Sequence, residues 1–139
     1  MAIHTNFSSL ARALRNRARE VQAGTEAVVR QAALTTVSVA AIATPVDTGL
    51  ARGNWRTQLG SPNEEELQNI RSISAVTSEA NAQVRQWRLG SGDIFITNNV
   101  SYITFLDEGS SLQAPNGMTE QAIAAGIRVL QSVRLFRRP

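Results

Sequence analysis

The chain has 139 residues, enough for one ordinary domain with a modest core, and its apolar fraction of 42% includes only seven aromatics. It has no cysteine and a single histidine, His4, at the start of the chain, which excludes disulfides and thiolate chemistry and leaves little for a zinc site or a histidine-dependent catalytic unit. The net charge is +3, with 14 arginines and no lysine set against 11 acids, a mixture suited to carboxylate or phosphate partners and to interfaces.

The first predicted element is a long helix from about Ser8 to Ala43, capped by Asn6 or Ser8. Phe7, Leu10, Leu14, Val21, Val28 and Ala32 recur at helical spacing, with Ala11, Ala18 and Thr25 filling the same stripe. Arg12, Arg15 and Arg19 share another face, whose default role is to be solvated. The later half is apolar nearly all round and built of small residues, which suits close packing against a second layer or a neighbouring copy. Thr44-Pro45 ends the helix, because a residue before proline avoids the helical region. There is no uninterrupted apolar run of about 18 residues and no basic-then-apolar leader pattern, so no membrane partner is expected.

PVDTGLARGNW follows, with Asp47 or Thr48 capping a short turn, Gly49 and Gly53 relaxing the backbone, and a strand starting at Trp55 and running to about Leu59. Ser61-Pro62-Asn63-Glu64 carries the marks of a helix start, with Glu64, Glu65 and Glu66 complementing the helix dipole. A helical insert is therefore expected over 62–88, bent or split near Ile73 to Thr77, its second part starting near Ser78 and its apolar stripe including Leu67, Ile70, Ala80, Val84 and Trp87. A strand is predicted over Asp93 to Thr97. A short helix bearing Tyr102, Phe105 and Leu106 comes next, ending at Glu108-Gly109. After a loop punctuated by Pro115 and Gly117, Thr119 caps a last helix whose core face is Ile123, Ile127, Leu130 and Val133. The whole reads as one α+β domain over 1–139, with 1–6 and 134–139 flexible or docked on a partner.

Chemistry is sparse. Asp107-Glu108 and Glu64 to Glu66 are the only carboxylate clusters, and each has a simpler role as a capping or solvated group. The serines have no histidine to activate them, and the GSG of Gly90 to Gly92 precedes a strand, the wrong place for a phosphate loop. No catalytic, cofactor or metal residue is assigned, so the expected class is non-enzymatic. The competing reading is a sequence-independent DNA-binding protein acting through Arg12, Arg15 and Arg19.

Four blocks in fixed order carry a resemblance. Pro45 to Trp55 (PVDTGLARGNW), Ile96 to Ile103 (ITNNVSYI), Glu108 to Ser111 (EGSS) and Gln113 to Met118 (QAPNGM) together resemble the tail-completion proteins of tailed bacteriophages, also described as neck, head–tail joining or minor tail proteins. The resemblance spans roughly Leu34 to Leu130. It implies a long N-terminal helix packed on a small antiparallel sheet with a second helix, to which the residue pattern adds a middle helical insert and a C-terminal helix. It also implies a virion protein that forms a ring of its own copies, expected to be hexameric, at the neck. The partners implied are a tail terminator or tail tube protein and the head connector or adaptor, with packaged DNA in the lumen. Asp47, Thr48, Gly49, Trp55, Asn98, Asn99, Tyr102, Gly109 and Pro115 are expected to define the fold. Interface contacts are expected from Arg52, Arg56, Asp107, Glu108, Arg137 and Arg138, with Arg52 or Arg56 facing Asp107 or Glu108 of the neighbouring copy.

Overall fold

A computed structural model describes residues 5–108 and 117–132. Over these residues the fold is α+β: five helices and one two-stranded antiparallel sheet, in the order α1 (Thr5–Ala43), α2 (Leu50–Gly53), β1 (Trp55–Leu59), α3 (Ile73–Val84), β2 (Ile94–Asn98), α4 (Ile103–Asp107) and α5 (Met118–Ser132). The long helix starts at Thr5, so Asn6 and Ser8 lie inside it rather than capping it.

The second half of α1 is the spine of the core. Val37, Ala40 and Ala41 pack with Trp55 of β1, Val76 and Ala80 of α3, and Met118 and Ala122 of α5. These are mostly small side chains, so the elements approach closely. Gly126 shows how closely: a Cβ there would collide with Thr36 Oγ1 of α1, which already donates a 2.8 Å hydrogen bond to Ala32 O. By length and composition α1 could also cross a bilayer. Val37, Ala40 and Ala41 of its second half enter this core, and 28% of the apolar window is buried within the described body.

β1 and β2 pair with Trp55 opposite Asn98 and Leu59 opposite Ile94. The outer edge of β1 is closed by a carboxylate: Glu79 on α3 accepts from Thr57 N at 3.2 Å and from Arg56 Nε at 3.0 Å, and pairs with Arg71 at 3.2 Å. One acid thus ties strand, helix and the preceding loop together.

That loop corrects one expectation. Residues 61–72 form no helix, despite the Ser-Pro-Asn-Glu start signal. Side chains take the backbone groups a helix would have used. Asn63 Oδ1 accepts from Glu65 N, closing a local turn. Asn54, fully buried, accepts from Leu67 N at 2.7 Å and donates to Leu67 O at 3.0 Å, while Asn99 Nδ2 donates to Asn63 O at 2.7 Å. Glu64, Glu65 and Glu66 consequently have no helix dipole to complement, and Ile70 is exposed instead of lying on a core stripe. The middle helix begins at Ile73, with Ser72 Oγ accepting from Ala75 N, and runs unbroken to Val84, so it is not split near Ser78 and ends before 88.

The turns after α3 are strapped to α1. Arg30 donates to Trp87 O, and Glu26 accepts from Leu89 N at 3.0 Å. Trp87 Nε1 reaches Gly92 O at 2.8 Å.

Candidate interaction surfaces

The first two resemblance-bearing blocks meet in space, while residues 109–116, which carry most of the other two, lie outside the described residues. The PVDTG turn and α2 face α4 across a hollow lined by Pro45, Val46, Leu50, Tyr102, Phe105 and Leu106. Gly49 holds φ +90°, which opens the turn into α2, and Thr48 Oγ1 accepts from Leu50 N at 3.3 Å in place of any Asp47 cap. Gly53 is required for another reason: a Cβ would stand 2.6 Å from Arg71 O and 2.7 Å from Arg71 N. Asn98 Nδ2 donates to Ala51 O at 2.8 Å, and its Oδ1 accepts from Val100 N, joining the end of β2 to α2. Trp55 lies buried with its indole N–H on Thr44 Oγ1 at 2.8 Å, fixing β1 to the end of α1. The result is a rigid shelf with Tyr102 and Phe105 exposed at its rim.

Three of the four described charged residues expected at an interface have partners within the chain. Arg52 Nη2 donates to Ile42 O and Thr44 O, covering the carbonyls at the end of α1. Arg56 is engaged by Glu79. Asp107 Oδ1 accepts from Met118 N at 3.1 Å and Thr119 N at 2.9 Å, so Asp107, not Thr119, caps α5. Glu108 is exposed. Gly109, Pro115, Val133, Arg137 and Arg138 lie outside the described residues. Among the described residues no three His, Asp or Glu side chains gather where a metal could bind.

The largest departure from expectation is the face that α5 presents to the core. The buried positions are Met118, Ala122 and Gly126, while Ile123, Ile127 and Leu130 are 45–52% exposed. The small face wins because it admits the close approach to α1 described above. The large apolar face is left as one wall of a groove of about 630 Å³, whose other walls are Val29, Ala33 and Thr36 of α1, Trp87, and Ile94, Phe95 and Ile96 of β2. Among the described residues Asp93 is the one charged side chain lining it.

A third surface is the start of α1. From Phe7 to Glu20 every residue is exposed except Ala11, which is half-buried, so this part of the helix stands clear of the described body. It is amphipathic: Phe7, Leu10 and Leu14 share one face at 54–68% exposure. Arg12, Arg15 and Arg19 lie roughly a third to half of a turn away. Arg17 flanks the apolar stripe and pairs with Glu20 at 3.1 Å.

Comparison with family models, characterised proteins and solved structures finds no match to this chain.

Proposed function

We propose that this chain is a non-enzymatic structural subunit of a tailed bacteriophage, forming a ring at the neck that completes the tail end and joins it to the head connector. The supporting observation is where the large apolar side chains lie. The core is made chiefly of alanine and valine, while Phe7, Leu10, Leu14, Phe105, Ile123, Ile127 and Leu130 are 45–68% exposed on three surfaces. A solitary domain gains nothing by leaving so many large side chains in water, whereas a subunit buries them against its neighbours. Rings require two different surfaces on each subunit, and the exposed apolar side chains lie on separate elements, α1, α4 and α5. The ordered motif blocks supply the phage reading, and the hydrogen-bonded shelf built on the first two fits a docking face for a tail or connector protein. The test is negative-stain imaging of purified tails incubated with the protein. Rings on tail ends are expected, and a chain that never joins tails or connectors counts against the reading.

A second reading rests on Arg12, Arg15 and Arg19, which project from one face of the free helix. Sequence-independent contact with duplex DNA predicts binding that falls steeply with salt and is lost on changing all three to alanine. Unchanged DNA mobility at low salt would remove it.

A further inference from the structure

We propose that the groove between β2 and α5 is the seat for the exposed N-terminal part of α1 from a second copy of this chain, with Phe7, Leu10 and Leu14 packed against Ile123, Ile127, Leu130 and Phe95. This deepens the ring reading by assigning the contact between neighbouring subunits.

The two surfaces are complementary in kind. One is an amphipathic helix face with large side chains at i, i+3 and i+7, the spacing by which a helix fills a groove. The other is an apolar trough bordered by the outer edge of β2 and the large face of α5. They lie apart on the same chain, because residues 5–20 extend roughly 24 Å as a single helix beyond the described body. One copy therefore cannot fill its own groove without breaking α1. A neighbour can, and the contact is heterologous, as ring closure requires.

Charge points the same way. Residues 5–20 hold four arginines and one glutamate, net +3. The rest of the chain, residues 21–139, is balanced, with ten acids and ten arginines. Asp93 lines the groove, Glu120 stands beside Ile123 on α5, and Arg15 and Arg17 flank the apolar stripe of α1. These local acids suit the arginines beside a neighbour's apolar stripe, and the like charge of two overhangs keeps those from pairing with each other.

The natural chain is free of cysteine, so engineered thiols report contacts without background. Chains carrying Leu10→Cys are mixed with chains carrying Ile127→Cys in assembled particles and oxidised. The expected product is a disulfide joining the two kinds of chain, and a chain carrying both changes gives a ladder of linked copies. Arg12→Cys with Ile127→Cys, on the opposite face of the helix, gives little. In parallel, Phe7→Ser, Leu10→Ser and Leu14→Ser are each expected to weaken self-association at least about tenfold while leaving helix content intact. Rings that assemble without the Leu10→Cys to Ile127→Cys link overturn this docking and leave the ring reading standing. Linked pairs in a protein that never rings tail ends support the docking and remove the neck role. Binding of residues 5–20 to anionic vesicles, with no link between copies, overturns the proposal in favour of a membrane surface.

Discussion

Trp55 and Thr44 form a buried relay at the junction of sheet and long helix: the indole N–H donates to Thr44 Oγ1 at 2.8 Å, and that hydroxyl donates onward to Ala40 O at 2.6 Å. Both residues are buried, so neither group can turn to water instead. Thr44→Val is expected to strand the indole donor at a cost of about 1–3 kcal/mol. Trp55→Ala adds a cavity and should cost about 3–5 kcal/mol. Because the two side chains share one bond, Thr44→Val should cost clearly less in a Trp55→Phe background. Urea unfolding of the double-mutant cycle measures that coupling, and additive effects would show that the relay contributes little.

Gly53 tests how tightly the motif turn is clamped to the irregular loop. Its missing Cβ leaves room for the backbone of Arg71, and backbone cannot swing aside as a side-chain tip can. Gly53→Ala is expected to destabilise by about 1–3 kcal/mol, outweighing the ~0.4–1 kcal/mol that alanine contributes by restricting the unfolded chain. The midpoint of urea unfolding should fall accordingly.

Glu26 gives the fold an acid-sensitive strap. Its carboxyl lies below the ordinary carboxylate range, chiefly because it accepts the Leu89 N–H, with Gln22, Arg30 and Arg88 assisting and partial burial opposing. A depressed folded value means that the contribution is fully present above the unfolded value, about 4.3, and fades as pH falls through the lower folded one. Melting temperatures of the wild-type protein and Glu26→Gln should therefore differ most above about pH 5 and converge on acidification. A gap that stays constant down to pH 3 would show that the strap does not depend on the carboxylate charge.

Much of the architecture is readable from local pattern: the long helix ending at Thr44-Pro45, both strands, the short helix of Tyr102 and Phe105, and the last helix. What escapes the sequence is set by non-local contacts. Ser61-Pro62-Asn63-Glu64 looks like a helix start because its partners, Asn54 and Asn99, are distant in sequence and reveal nothing of where their amides point. Arg56 and Asp107 look available for a neighbour until Glu79 and the start of α5 are seen beside them. The face of α5 fails for a deeper reason. Periodicity identifies which side of a helix carries large apolar residues, but not whether the same chain covers it.

That ambiguity yields the sharpest prediction, since the two faces of α5 should fail in opposite ways. Ala122 is 2% exposed and Gly126 packs on Thr36, so Ala122→Leu forces bulk into the α1–α5 contact. It should lower stability by about 1–3 kcal/mol in the isolated protein. Ile127 is 45% exposed, so Ile127→Ser removes little packing from the monomer and should leave its unfolding midpoint nearly unchanged. If the large face is completed by other copies, the same change should sharply reduce assembly. Circular dichroism melts and light scattering on the two variants, taken together, separate these effects. A large loss of monomer stability from Ile127→Ser would mean that α5 turns its large face inward in solution. An unaffected monomer and unaffected assembly would mean that the exposed stripe serves no partner of its own kind.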